Sequence, residues 1–242
     1  SMIRGFACYL KGCGIQVEVP KTRRLSPSQR RAVPYIYTDA EVTALMDCTG
    51  MLFRPLRATT MTTLIGLLAT TGMRIGETLK ITVGDVDLDA GTIRILHAKF
   101  SRQRVICIDP STCRAVSGYL SGPERSRLGD DADKPLLVTG RGTGLSPEVV
   151  HSAFTRMRNA VLQVPRDGAT PRLHDLRHTF ATRTMIDAYQ AGRDPAAALS
   201  ALSIWLGHSS PVYTYWYLQA VPDLAAVAAP LLELPPADGG PR

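Results

Sequence analysis

Between Ile81 and Ile108 the apolar residues change from helical spacing to alternation, and helical patterning resumes on the far side. A chain with that order can bury its faces only as a helical body carrying one small sheet. The β-type runs are Val86 to Leu88, Thr92 to Leu96 and Arg104 to Ile108, with Asp89, Ala90 and Gly91 as the turn between the first two. The expected fold class is therefore mainly α with a small antiparallel β-sheet (α+β). Ahead of the sheet, Thr38 and Glu41 form a capping box before Val42, Leu45 and Met46. Met61, Leu64, Ile65 and Leu68 then follow at i, i+3, i+4 and i+7, and Gly72 suits a helix end.

Beyond the sheet, Asp109 and Pro110 read as an N-cap and first helical residue, opening a helix to about Leu120. A polar segment runs from Ser121 to Lys134. Ser146 and Pro147 open another helix, which buries Val150, Phe154, Met157 and Val161. Further helices are predicted from Leu173 to about Tyr189, from Pro195 to Leu206 and from Pro211 to Gln219, followed by an Ala- and Leu-rich segment from Leu224 to Leu232. Residues 4–12 form one candidate short helix. The stretch from Pro20 to Pro34 is basic and poor in apolar residues, with Lys21, Arg23, Arg24, Arg30 and Arg31, and reads as an exposed connector or a DNA-contacting arm. The Pro- and Gly-rich end, 233–242, reads as a disordered tail.

With 242 residues, 45% of them hydrophobic, the chain can build one domain of about 200 residues with a real core. No apolar run approaches the length of a membrane span and no secretory signal pattern opens the chain, so a cytoplasmic protein without a membrane partner is expected. Cys8, Cys13, Cys48, Cys107 and Cys113 are scattered without paired metal spacing, which favours reduced thiols. The net charge of +7 asks for an anionic partner without identifying it.

Three clusters bear chemistry. In the run His174, Asp175, Leu176, Arg177, His178, helical spacing puts His174 and Arg177 on one face, where both can reach one phosphate. The same run imitates a zinc-protease helix through His174 and His178, but Asp175 replaces the required Glu; taken alone, His178 reads as a hydrogen-bonded core histidine. In the second cluster, Gly207 ends one helix while Ser210 and Pro211 start the next, leaving His208 in a tight turn ahead of Tyr213, Tyr215 and Tyr217. In the third, Thr71, Gly72, Met73, Arg74, Ile75, Gly76, Glu77, the acid lies one helical turn after Arg74 and either holds it or forms an ordinary surface pair with it.

Taken together, from about Thr38 to Leu224, these segments resemble the tyrosine recombinases of the phage-integrase family. The family's Thr-Gly-x-Arg-x-x-Glu motif matches Arg74 and Glu77, its His-x-x-Arg motif matches His174 and Arg177, and its Leu-Gly-His motif matches His208. The family nucleophile lies nine residues after that histidine, which selects Tyr217 over Tyr213 and Tyr215. The family's lysine sits in a β-hairpin loop resembled by Ala98 to Arg104, which gives Lys99; Phe100 stands where glycine is common.

The resemblance implies a site-specific recombinase that cleaves and rejoins DNA through a 3'-phosphotyrosyl intermediate. In it Arg74, Arg177 and His208 bind the scissile phosphate, Tyr217 attacks, His174 takes or shares its proton and Lys99 protonates the leaving oxygen. No cofactor or metal is implied. The partners implied are double-stranded DNA and, on synapsed DNA, a homotetramer formed from a protein monomeric without it. Arg102 joins Lys21, Arg23, Arg24, Arg30 and Arg31 as candidate DNA contacts. Residues 1–34 are read as the remnant of an N-terminal DNA-binding domain plus a basic linker, 35–232 as the catalytic domain with its C-terminal helix, and 233–242 as a tail. Ser1 and Met2 suggest a shortened protein, with weak, salt-sensitive DNA binding as the expected result. A type IB topoisomerase or telomere resolvase shares the chemistry, and a DNA-binding regulator would share the fold without cleavage.

Overall fold

The computed structural model describes residues 34–96, 103–162 and 170–207. All of them lie in the unit spanning Val33–Arg242. The first helix, α1 (Asp39–Asp47), starts at the expected capping box: Thr38 Oγ1 accepts from Glu41 N at 3.2 Å while Glu41 Oε2 accepts from Thr38 N at 2.8 Å. A single turn, α2 (Thr49–Leu52), follows and leads into α3 (Pro55–Thr71), on which the body is built.

Helix α3 has 17 residues and is buried along most of its length, through Met61, Leu64, Ile65, Leu67 and Leu68. Packed against α1, α2, a later helix α5 (Pro110–Ser121) and α8 (Asp175–Gln190), the helix buries a stripe wider than the expected one and leaves a narrow polar strip through Thr59, Thr63 and Thr70 toward solvent. Its threonine hydroxyls bond back to the helix: buried Thr60 donates to Leu56 O at 2.7 Å, and on the polar strip Thr63 and Thr70 donate to Thr59 O and Gly66 O at 2.9 Å.

After the short α4 (Ile75–Thr78) and a 3₁₀ turn (Val83–Asp85) come β1 (Val86–Asp87), β2 (Thr92–Ile95) and β3 (Arg104–Cys107). They form one antiparallel sheet in the order β1-β2-β3, with Val86 opposite Ile93 and Ile95 opposite Arg104. Each strand is shorter than its apolar run. Gly91, at φ 62°, and an Asp87 side chain accepting from Ala90 N at 2.8 Å close the first hairpin at the expected turn. Ile93, Ile95 and Ile106 point into the core, whereas Val105 points outward.

Helix α5 begins on Asp109 and Pro110 as expected, and α7 (Pro147–Val161) on Ser146 and Pro147. Between them the polar segment hides a short helix, α6 (Pro123–Ser126), and a buried cation. Arg125 is 1% exposed and donates to the carbonyls of Gly129 at 2.6 Å, Pro135 at 3.2 Å and Leu136 at 3.4 Å. Helices α8 and α9 (Pro195–Trp205) enclose a smaller apolar cluster of Ala181, Met185, Leu199, Leu202 and Leu206. Among the described residues no helix is long and apolar enough to cross a membrane. The helices expected over 4–12, 211–219 and 224–232, the basic arm and the tail lie outside the described residues.

Candidate active site

The site grows from the end of α3. Gly72 caps that helix at φ 62°, ψ 18°, a left-handed conformation in which its N–H bonds Leu68 O at 3.1 Å. No side chain fits there: a Cβ would stand 2.4 Å from the Phe180 ring of α8. The chain leaves this turn extended, and Arg74 becomes the N-cap of α4. Glu77 then reaches back to Arg74, accepting from its backbone N at 3.2 Å and from its Nη1 at 2.9 Å.

Glu77 is not half of a surface pair. Its side chain is only 4% exposed, and a second arginine, Arg104 at the start of β3, donates to both carboxylate oxygens, Nη2 to Oε2 at 2.7 Å and Nη1 to Oε1 at 3.3 Å. Burial opposes ionisation of Glu77, but the hydrogen bonds and charges of Arg104 and then Arg74 outweigh it and hold the carboxyl below its usual range.

The far wall is the end of α9. Arg177, on α8 and 2% exposed, donates Nη1 to Gly72 O and Nη2 to Leu206 O, each at 2.8 Å. Arg74 Nη2 reaches Gly207 O at 3.2 Å, Arg104 Nε reaches Trp205 O at 2.9 Å, and Trp205 Nε1 returns a bond to Thr71 O at 2.8 Å. Arg177 and one indole thus fasten the Thr71–Gly72 corner to the Trp205–Gly207 corner, while Arg74 and Arg104 tie the second corner to Glu77. Gly207, at φ 63°, ends the helix as expected, and the next residue in sequence is His208.

His174 immediately precedes α8 and is accessible from the surface, although its ring lies against neighbouring groups. Desolvation, followed by the charge of Arg177, pushes its pKa below the usual 6.5, which keeps it neutral at physiological pH. Its ring stands edge-on to His178 at 4.9 Å. His178 is buried, with Nε2 4.0 Å from Asp175, as a core histidine would be. Asp175 is fully buried and accepts from Arg172 N at 2.8 Å and Arg172 Nη2 at 2.9 Å. Among the described residues no group of three or more His, Cys, Asp or Glu could hold a metal ion.

Of the residues singled out in the sequence, Arg74 and Arg177 are brought to one pair of turns, with His174 at the start of the helix that carries Arg177. Lys99, His208, Tyr217, Arg102, Lys21, Arg23, Arg24, Arg30 and Arg31 lie outside the described residues. The sequence reading missed Arg104 as part of the site, although a signal was present. Two-residue alternation puts Arg104 on the same strand face as the buried Ile106, where an unpaired charge would not be tolerated.

The chain matches the model of the phage integrase family over residues 37–222. It is 33% identical to a putative integrase/recombinase, y4rB, of Sinorhizobium fredii over 240 residues, 96% of this chain and 76% of that protein. It is 33% identical to the tyrosine recombinase XerC of Rhodospirillum centenum over 154 residues, 64% of this chain and 40% of that protein. Its fold resembles XerA recombinase, with a TM-score of 0.62 at 21% identity over 96% of this chain and 75% of the other. It also resembles the Tn1549 transposon integrase in complex with a circular intermediate DNA, with a TM-score of 0.66 at 19% identity over 96% and 76%. Motif order, fold and relatives converge, and the chain belongs to the phage integrase family as a tyrosine recombinase.

Proposed function

We propose that this chain cleaves and rejoins DNA strands by transient attachment of a 3' phosphate to Tyr217. The observation that supports it most is the shared anchoring of Arg74 and Arg177 on the Gly72 and Leu206–Gly207 turns, the second of which runs directly into His208. Guanidinium groups fixed this way suit the nonbridging oxygens of a pentacoordinate phosphoryl transition state, because their positions are set before charge develops. A related fold, lambda integrase residues 75–356, forms a dimer bound to a core site, in keeping with duplex DNA as the partner.

In this reading the Tyr217 oxygen forms a bond to phosphorus while the bond to the 5' oxygen breaks. The phenol proton passes to neutral His174, and Lys99 supplies a proton to the departing 5' hydroxyl. Attack by a 5' hydroxyl from a partner duplex reverses the step, so strands are exchanged without net hydrolysis. Arg74, Arg177 and His208 hold the phosphate throughout. Lys21, Arg23, Arg24, Arg30, Arg31 and Arg102 add backbone contacts to DNA, residues 35–232 form the catalytic domain, and a homotetramer assembles on two synapsed sites.

A nicked duplex, whose short cleaved strand diffuses away and strands the covalent complex, tests the assignment. Wild type and the Tyr213→Phe and Tyr215→Phe variants form a denaturant-stable protein–DNA adduct; Tyr217→Phe binds DNA as well and forms none. An adduct surviving in Tyr217→Phe removes the assignment.

A further inference from the structure

Arg104 joins the Glu77 carboxylate to the turn at the end of α9. It holds both oxygens of Glu77, its Nε holds Trp205 O, and its guanidinium lies so close beneath Gly207 that a Cβ there would stand 2.9 Å from Nη1. These bonds use the whole planar fork, which a lysine ammonium cannot reproduce. The charges also form a definite arrangement. Glu77 and Arg104 are the buried members, with side chains 4% and 12% exposed, whereas the Arg74 side chain is 31% exposed. One carboxylate between two guanidiniums leaves a net positive charge, and the exposed partner carries it outward.

We propose that Arg104 is a positioning residue for strand cleavage: by engaging both oxygens of Glu77 it leaves Arg74 net cationic toward the scissile phosphate, and by holding Trp205 it fixes the turn that leads to His208. Without Arg104, Glu77 and Arg74 close into a neutral pair and the positive charge facing the phosphate is lost. Arg104 touches no reacting atom in this account. Its influence passes through Arg74, so the inference rests on the reading of Arg74 as a phosphate ligand.

The test uses the full 242-residue chain and a nicked duplex whose core sequence is selected by the chain from a random library, made with either a phosphate or a methylphosphonate at the scissile position. The methylphosphonate replaces one charged oxygen with a methyl group and so lowers the need for a cation. Single-turnover cleavage is followed, and Tyr217→Phe versions report the Kd ratio between the two duplexes so that binding is read independently of chemistry. Arg104→Gln lowers cleavage of the phosphate duplex about 100-fold, the scale of losing one preorganised donor, and of the methylphosphonate duplex about fivefold or less. It also shrinks the binding preference for phosphate, as Arg74→Ala does. Adding Glu77→Gln restores the net charge and recovers about tenfold of the lost cleavage, whereas a merely structural role makes the two losses add.

Arg104→Lys keeps the charge and serves as the second variant should Arg104→Gln unfold; it stays within about tenfold of wild type and retains the phosphate preference. If Arg104→Gln loses the same factor on both duplexes while Arg74→Ala is rescued by methylphosphonate, or if Arg104→Lys, used in its place, falls far more than about tenfold or loses the phosphate preference, the Arg104 proposal fails. If Arg74→Ala itself shows no rescue and no change in binding ratio, the reading of Arg74 as a phosphate ligand fails instead.

Discussion

Replacing Gly72 with alanine tests how tightly the site is tied to the end of α3. At φ 62° a residue with a Cβ costs about 1–2 kcal/mol in backbone strain alone. The new methyl would also lie 2.4 Å from the Phe180 ring, which stacks against Trp205 with centroids 6.3 Å apart. Moving that ring adds roughly 1–3 kcal/mol of overpacking, so Gly72→Ala should destabilise by about 2–5 kcal/mol. For a domain of this size that lowers Tm by roughly 5–15 °C. Because Gly72 O accepts from Arg177 and Trp205 reaches Thr71 O, the displacement passes into both turns, and cleavage should fall at temperatures where the protein is still folded. The assay is chemical and thermal denaturation of Gly72→Ala, Phe180→Ala and the double variant. Removing the ring relieves the clash, so the double variant should be more stable than the sum of single losses by at least about 1 kcal/mol. A Gly72→Ala loss under about 0.5 kcal/mol, or additive losses, would refute the reasoning.

Acid should act through Glu77. Its folded pKa lies below the usual 4.5, so the stability it contributes is present above that value and is lost as pH falls through the folded pKa. In denaturation between pH 3 and 7, Glu77→Gln should flatten this part of the curve, and an unchanged slope would count against the buried triad. His174 behaves in the opposite chemical sense: its folded pKa is depressed, so it stays neutral below pH 6.5 and the folded state loses stability as pH falls from there toward the folded value. Cleavage that needs neutral His174 should keep more than half of its full rate at pH 6.5 and reach the half-maximal point in more acid buffer, which pH–rate profiles of single-turnover cleavage would show; a half-maximal rate above 6.5 contradicts it. Arg125→Met should cost about 3 kcal/mol or more by leaving buried carbonyls unpaired, as measured by urea titration, with no change in the phosphate-over-methylphosphonate preference.

Helix starts were legible because their chemistry is local. Thr38, Asp109 and Ser146 each cap the N–H groups two or three residues ahead, and the sequence shows both partners at once. The sheet was legible because turn residues and alternation coincide at Asp87 to Gly91. The polar stretch before Lys134 was not, since Arg125 is buried by the carbonyls of 129, 135 and 136, and a backbone acceptor leaves no trace in side-chain pattern. The Glu77 site was half legible. Arg74 and Glu77 announce their pairing by spacing, but the third member lies 27 residues on, and only a folded β3 brings it there. The low exposure of Glu77 follows from that arrival.

The arginines of the site bind main-chain oxygens at the α9 end rather than side chains. Every residue type presents the same carbonyl, so nothing in these arginine bonds dictates which amino acid stands at 205 or 206; Trp205 answers to its own bond to Thr71 O, Leu206 to the apolar cluster and Gly207 to its backbone angle. The dependence is therefore one-sided. Loss of Arg74, Arg104 or Arg177 cannot be repaired by a compensating side chain at the bonded position, because no side chain takes part in the bond. In a genetic screen for recovered recombination, suppressors of these arginine variants should map to Glu77 and the neighbouring charges and leave 205–207 untouched. The corner that leads to His208 keeps its sequence for other reasons, the indole bond and Phe180 stacking of Trp205, the apolar burial of Leu206 and the backbone angle of Gly207, and not because the arginines read its side chains.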